Sequence, residues 1–218
     1  MSVRLRLGSS NAALDAAFDP LVARVLAHRG ISTPGQVDYQ LKHLLPYHQL
    51  KGIGQAVGLL VDALQAQQHI VIVGDFDCDG ATSTSLAMLA LGAMGAHNVS
   101  YLVPNRFDFG YGLSPALVDY AQASPPDLIV TVDNGIASHA GVDRAHELGI
   151  KVLVTDHHLA ADTLPAADAI VNPNQPGCDF PFKSTAGVGV IFYVMSALRR
   201  ELQTQGWFEK HQITPPNM

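Results

Sequence analysis

The sequence predicts an α/β fold: a parallel sheet of about five strands flanked by helices, with a short helical segment before it. The first observation behind this prediction is a series of runs that are apolar at nearly every position, at residues 70–73, 128–132 and 152–154. Such runs are typical of strands buried on both faces, as in parallel sheets. The second observation is that segments with helical spacing lie between the runs. This alternation indicates repeated βα units with right-handed crossovers.

The composition is that of a globular chain of 218 residues, with 48% hydrophobic and 15% charged residues. A formal net charge of −6 argues against a protein that coats duplex DNA by bulk charge, although it allows a local basic groove. Cys78 and Cys178 provide neither a disulfide framework nor a paired zinc motif, and no signal peptide is visible, so we expect a cytoplasmic location. The longest apolar stretch, residues 186–198, is shorter than the roughly 20 residues that cross a bilayer.

Two helices are predicted before the first strand. Residues 11–28 have apolar side chains at helical spacing, and the segment 30–35, with its glycines and proline, ends that helix. Residues 55–67 form the second helix. We therefore expect residues 1–54 to be a helical prelude without chemistry of its own and residues 55–218 to form the functional domain.

From residue 70 onward, predicted strands and helices alternate. Ser114 before Pro115 is a strong helix start, because serine caps the free amides and proline suits the first helical position. Gly149 is a typical helix C-cap. The further predicted helices cover residues 81–95, 114–123, 138–148 and 187–203, and the further strands cover residues 99–103 and 169–171.

Three of the predicted strands end in carboxylates. The first is followed by Asp75, Asp77 and Asp79, the third by Asp133 and the fourth by Asp156. The carboxyl ends of parallel strands form the ligand cleft of open α/β sheets, so these carboxylates are expected to lie close together. Neighbouring carboxylates repel each other and raise each other's pKa values. A bound divalent cation is the simplest way to neutralise this repulsion.

The first acidic group has two interpretations. Asp75, Asp77 and Asp79 alternate along a segment expected to be extended, so their side chains should point the same way, with Gly80 closing the segment. The alternative is a turn in which Asp79 caps the helix that follows. Three carboxylates within five positions at the end of a buried strand favour the metal interpretation.

The fourth strand adds imidazole to the predicted site. His157 and His158 follow Asp156, and adjacent residues in an extended segment face opposite sides. One histidine can therefore bind metal while the other has a different task. Oxygen-rich ligands with one imidazole suit Mn²⁺ or Mg²⁺.

Two loops are further candidates. Arg106 lies among aromatic residues and glycines, where it could grip phosphate while the rings stack on unpaired bases, although an ordinary packed loop fits equally well. Gly187 and Gly189 open the last long helix, where backbone amides make an anion site or small residues serve close packing. No phosphate-binding P-loop, dinucleotide fingerprint or serine nucleophile elbow is present. Metal-assisted phosphoester hydrolysis is therefore the leading chemistry.

The ordered motifs of the chain resemble those of the DHH phosphoesterase superfamily and, within it, the RecJ-type single-strand-specific 5′→3′ exonucleases of bacteria. The motifs that carry the resemblance are residues 75–80, 104–107, 110–114, 131–136 and 155–158, extended by 172–174 and 186–190. They occur in family order and cover nearly the whole chain, which makes the set far more specific than the Asp-His-His tripeptide alone.

The resemblance implies a nuclease with two Mn²⁺ (or Mg²⁺) ions in its complete site. It also implies single-stranded DNA as substrate, a role in DNA repair and recombination, repair proteins and a single-strand-binding protein as partners, and a monomer. His158 would contact phosphate or handle protons, and Asp156 would orient the histidines. The implied metal ligands are Asp77, Asp79, Asp133 and His157, with Asp133 as a bridge between the ions and Asp75 either as a further ligand or as a group that supports the ligands. The implied substrate-binding residues are Arg106, Asn134, Gly187 and Gly189.

Two departures from the family pattern stand out. Cys78 occupies a position where the family more often has alanine, and it is expected to be a small buried thiol without a catalytic role. The family pattern also continues beyond Met218, with another aspartate ligand and a second domain that closes the cleft. We therefore expect this chain to be an N-terminal piece of a longer protein, with little or no activity alone.

Two other functions stay open at this point. One is a DHH-family phosphodiesterase that acts on small substrates such as nanoRNA, cyclic dinucleotides or pyrophosphate. The other is a non-catalytic nucleic-acid-binding or partner-binding module with a degenerate site. The retained acidic residues argue against the second, and the Arg106 loop and residues 172–174 favour the exonuclease over the first.

Overall fold

The computed structural model describes residues 11–38 and 40–218, except for the side chain of Arg106. The chain divides into two compact units, with the boundary between Leu45 and Pro46. The boundary predicted after residue 54 lies instead in the first turn of a helix at Ile53–Gln65. Among the described residues, no helix is both long and apolar enough to cross a membrane.

In its described part, the smaller unit contains two short helices, α1 (Ala12–Ala17) and α2 (Pro20–His28), where one continuous helix was predicted. Proline disfavours helical conformation in the residue before it, so the helix cannot run through Asp19. Asp19 instead caps α2, because its side chain accepts a hydrogen bond of 2.9 Å from the amide of Leu21. Single turns of 3₁₀-helix follow at Pro34–Val37 and Leu41–His43.

The larger unit is built on a five-stranded sheet in which every pairing is parallel, as predicted, in the order β2-β1-β3-β4-β5. The strands are β1 (Ile70–Val73), β2 (Val99–Leu102), β3 (Leu128–Val132), β4 (Lys151–Thr155) and β5 (Ala169–Val171). Val73 pairs with Thr131 and Val132 pairs with Thr155, so the carboxyl ends of β1, β3 and β4 lie level at one edge.

Helices cover both faces of the sheet. They are α3 (Ile53–Gln65), α4 (Cys78–Ala93), α5 (Arg106–Phe109), α6 (Pro115–Ala121), α7 (His139–Glu147), α8 (Gly187–Thr204) and α9 (Trp207–His211), with a 3₁₀ turn at Tyr47–Gln49. Residues of α6 and α7 form one apolar core with alternate residues of the strands, among them Val71, Val73 and Ile129. Helices α3, α4 and α8 pack together and contact the strands from the other side, where Ile70 and Ile72 are fully buried.

Helix α4 begins three residues earlier than predicted, because Asp77 caps it. The Asp77 side chain accepts a hydrogen bond of 2.9 Å from the amide of Gly80, so the helix starts at Cys78. Asp79 therefore lies in the first helical turn, and the prediction that the acidic residues alternate along one extended edge was wrong. Cys78 is exposed and not buried as expected.

Candidate metal centre at the carboxyl edge of the sheet

Carboxylates and imidazoles gather at the edge where β1, β3 and β4 end. Ligand atoms of Asp75, Asp77 and Asp133 all lie within 4.8 Å of one another, and so do ligand atoms of Asp133, His157 and His158. Asp133 belongs to both groups and is therefore the centre of the cluster. These two groups contain four of the five residues predicted to bind metal and add His158, and the fifth residue, Asp79, lies beside them with Oδ2 3.6 Å from His157 Nε2.

Asp133 has an unusual backbone. Its φ of 61° is in the left-handed region, which non-glycine residues seldom adopt. Its amide donates to the carbonyl of Thr155 (3.1 Å), and its own carbonyl accepts from the Tyr111 hydroxyl (3.3 Å). Strained backbone of this kind persists where surrounding structure holds it, commonly at functional sites. The turn directs the Asp133 side chain into the cluster, where the residue is only 2% exposed.

The carboxylate of Asp133 is buried without a hydrogen bond on one oxygen. Among the residues that the structure describes, Oδ1 has no hydrogen-bond partner. His157 Nε2 lies 2.9 Å from it, which is ion-pair distance when the ring is protonated. The same nitrogen lies 3.6 Å from Asp79 Oδ2. Carboxylate oxygens and an imidazole nitrogen that converge in this way are the donor set of an Mn²⁺ or Mg²⁺ site, so the residues present fit such an ion.

The electrostatics of the cluster also favour a bound cation. Burial, followed by the charges of Asp79 and Asp77, raises the pKa of Asp133 from 3.8 to about 7. Burial and like charges both disfavour an ionised carboxyl, whereas a divalent cation favours it. The cluster therefore carries a repulsion that a bound cation would relieve.

Asp79 is bound by the start of α8. The amide of Gly187 donates to Asp79 Oδ2 and the amide of Val188 donates to Oδ1, both at 2.7 Å. The amides at this helix start therefore hold a carboxylate of the chain itself. The amide of Gly189 donates to the carbonyl of Ala186 (2.9 Å). The sequence suggested that these glycine amides could bind a substrate anion. Both amides are instead bound within the chain and are not free for this.

Gly187 has a packing role at this point. A Cβ atom added there would lie 2.7 Å from Asp133 Oδ1. Real Cβ atoms do not approach so closely, so only glycine lets the start of α8 pass beside the central carboxylate.

Asp156 binds the backbone amides of His157 and His158 and the ring of His158. Its Oδ1 accepts from the amides of His157 (2.7 Å) and His158 (3.1 Å) and lies 2.7 Å from His158 Nδ1, and its Oδ2 accepts from the amide of Ile136 (2.9 Å). Asp156 is 1% exposed, and these contacts occupy both of its oxygens. The geometry fits the orienting role predicted for this residue.

His158 borders an open cavity. Burial of its ring opposes protonation, but the Asp156 hydrogen bond and the charges of Asp156 and Asp133 outweigh burial and raise the pKa of His158. The ring of Tyr111 meets it edge-on, with the centroids 6.1 Å apart. Both residues line a cavity of about 360 Å³, together with Ser138 at the start of α7. Tyr111 was not singled out from the sequence, where its place between two glycines was the available signal.

Residues 69–215 match the family model described as "DHH family, N-terminal domain". The chain belongs to the DHH family. The DHH resemblance predicted from the ordered motifs is thereby confirmed. The "Single-stranded-DNA-specific exonuclease RecJ" of Salmonella typhimurium strain LT2 is 54% identical over 216 residues, which are 99% of this chain and 37% of that relative. The chain therefore spans little more than a third of the relative's length.

Two solved structures resemble this DHH chain. One, described as exonuclease RecJ bound to manganese, has a TM-score of 0.65 and 35% identity, over 79% of this chain and 41% of that one. The other, RecJ of Thermus thermophilus in complex with Mn²⁺, has a TM-score of 0.66 and 32% identity, over 94% of this chain and 27% of that one. The fold is thus that of RecJ proteins that hold Mn²⁺.

Asn134 and Arg106 were also predicted to bind substrate. Asn134 is fully buried, and its amide donates to the carbonyls of Val73 (3.0 Å) and Val132 (2.9 Å). This side chain therefore ties the ends of β1 and β3 together and does not face the cleft. The side chain of Arg106 lies outside the described part of the chain.

Proposed function

We propose that this DHH chain is the metal-binding part of a single-strand-specific 5′→3′ exonuclease that acts in DNA repair and recombination. The observation that carries the proposal is the cluster around Asp133, whose buried Oδ1 has no hydrogen bond and lies beside the His157 nitrogen. The RecJ name of relatives more than half identical to this chain supports the substrate class.

Five residues would hold two Mn²⁺ or Mg²⁺ ions: Asp75, Asp77, Asp79, Asp133 and His157. Asp133 is proposed as the shared ligand, because it alone is common to both groups of converging atoms. When bound, such ions polarise a phosphoryl oxygen and supply a nucleophile from water at neutral pH. Asp79 contributes from a fixed position, since two α8 amides already hold its oxygens.

His158 is proposed to contact the phosphate and to hold a proton. Its Nδ1 lies against Asp156, which leaves Nε2 for the substrate. The raised pKa of His158 favours the protonated ring, which can donate a hydrogen bond to a phosphate oxygen. Asp156 does not itself react in this proposal; it keeps the ring in place and stabilises its charge.

Single-stranded DNA would enter along the edge of the sheet. Phe107 is 99% exposed, so its ring is proposed to stack on unpaired bases. Arg106 is proposed as a phosphate contact, whereas Asn134, Gly187 and Gly189 are proposed to support the site without touching DNA. Repair proteins and a single-strand-binding protein are the proposed partners of a cytoplasmic, monomeric enzyme.

The test uses the complete protein with Mn²⁺ and end-labelled oligonucleotides. Release of mononucleotides from the 5′ end of a single strand, with the duplex spared, is expected. Asp133→Asn is the inactive control. Cleavage confined to dinucleotides, cyclic dinucleotides or pyrophosphate would replace the proposal with a small-substrate phosphodiesterase. Binding of single strands without any hydrolysis would make the protein a binding module.

A further inference from the structure

The backbone of the two histidines is held from both sides. The amides of His157 and His158 donate to Asp156 Oδ1, at 2.7 and 3.1 Å. The carbonyl of His157 accepts from Asn174 Nδ2 (2.6 Å), and the carbonyl of His158 accepts from Asn172 Nδ2 (3.0 Å). All four backbone polar groups of the pair are therefore bound, and side chains supply every partner.

The asparagines lie just past the end of β5. The backbone pairing between β4 and β5 ends where the amide of Asp156 donates to the carbonyl of Val171 (3.1 Å). Asn172 follows at once and is fully buried. Its side chain, together with that of Asn174, continues the link between the two strands after the ladder has ended.

The network leaves each amide one orientation. Asn172 Oδ1 accepts from the amide of Asn174 (2.7 Å), so Asn172 Nδ2 is the atom that can face His158. Asn174 Nδ2 uses both of its hydrogens, on the carbonyls of His157 and Lys183 (2.9 Å). Reversal of either amide would set oxygen against oxygen.

His157 depends on this backbone support more than His158 does. A histidine that binds metal usually donates its second ring nitrogen to a carboxylate or carbonyl, which fixes the ring. His158 has such a contact with Asp156 through Nδ1. Throughout residues 11–38 and 40–218, no group is hydrogen-bonded to Nδ1 of His157. Apart from the contacts of its Nε2 with Asp133 and Asp79 and its packing on the His158 ring, the position of that ring rests on its main chain, whose carbonyl Asn174 holds.

We propose that Asn172 and Asn174 are positioning residues for the metal centre. Asn174 keeps His157 Nε2 beside Asp133 Oδ1, and Asn172 holds both Asn174 and the carbonyl of His158. The inference rests on the proposed metal site, because it assigns these amides a task only if His157 binds an ion.

The test measures Mn²⁺ affinity by calorimetry on the 218-residue chain and, separately, its unfolding temperature in EDTA. Asn174→Ala is the main variant, since Asn174 is only partly buried and the variant should fold. Loss of an outer partner of a metal ligand typically weakens metal binding about 10- to 100-fold. We expect a loss in this range for Asn174→Ala.

Gln175→Ala is the matched control. Gln175 Nε2 also donates to two backbone carbonyls, those of Lys51 (3.1 Å) and Ile170 (2.9 Å), but it contacts neither histidine. Its removal should lower the unfolding temperature in EDTA and leave Mn²⁺ affinity unchanged. If Asn174→Ala behaves in this same way, the asparagine is only a structural residue and the proposal is wrong.

A double-mutant cycle distinguishes a failure of the positioning role of Asn174 from a failure of the proposed metal site. His157→Ala should weaken Mn²⁺ binding, and Asn174→Ala added to it should weaken binding less than about twofold further, because the ring it positions is gone. Fully multiplicative losses would overturn the positioning role. If His157→Ala alone leaves Mn²⁺ affinity unchanged, the proposed metal site is wrong, and the inference falls with it.

Discussion

Asp133→Asn should make the metal-free chain more stable at neutral pH. Asparagine has the shape of aspartate and tolerates the left-handed backbone at this position, where φ is 61°. It removes the charge that burial and the neighbouring carboxylates oppose. The substitution therefore removes a negative charge from the site with little change in the shape of the side chain.

The pH dependence follows from the raised pKa of Asp133. The folded chain holds this proton up to a pH of about 7, whereas the unfolded chain loses it near 3.8, so wild-type stability falls as pH rises between these values. At about 1.4 kcal/mol per pH unit, the loss reaches up to about 4 kcal/mol above pH 7. The variant lacks this loss. The two proteins should be similar below pH 4 and differ most at pH 7–8.

Mn²⁺ should reduce the difference in stability between the two proteins, by more than half at 100 times its Kd. A ligand at 100 times its Kd stabilises a folded protein by about 2.7 kcal/mol, and only the wild type should gain this. The assay is unfolding followed by circular dichroism from pH 4 to 8, in EDTA and in Mn²⁺, with the exposed Asp143→Asn as control. Parallel pH profiles for the wild type and Asp133→Asn, or equal stabilisation of both by Mn²⁺, would refute the reasoning.

Three further changes test other parts of the site. Gly187→Ala should abolish Mn²⁺ binding in calorimetry, since its Cβ would press on Asp133 Oδ1, whereas Gly189→Ala, whose Cβ would meet only the Thr185 methyl, should retain it. Arg106→Ala in the complete protein should weaken single-strand binding more than turnover and reduce the salt slope by about 0.7; an unchanged slope would exclude a phosphate contact. His158→Ala should lower kcat about 10²- to 10⁴-fold with Mn²⁺ affinity within twofold of wild type, and a large loss of Mn²⁺ affinity would make His158 a metal ligand.

Local sequence patterns were sufficient for the fold. The apolar runs at β1, β3 and β4 predicted buried parallel strands, and the carboxylates after them predicted an acidic edge, because strand burial and strand ends are properties of short segments. Two boundary errors were also local. Pro20 and Asp77 carry recognised signals for a helix break and a helix cap, and the predictions gave these signals too little weight.

The tertiary structure decided how the site is arranged. Asp79 meets the amide of Gly187 across 108 residues of sequence, and this contact turns an expected substrate-anion site into the support of a carboxylate. The left-handed turn at Asp133 and the hold of Asn174 on His157, 17 residues away, likewise have no signal in any short segment. The sequence by itself determined which side chains reach the edge of the sheet. The start of α8 and the segment after β5 meet that edge only in the folded protein. Their contacts decide which side chains bond to one another and which atom is left free for a cation.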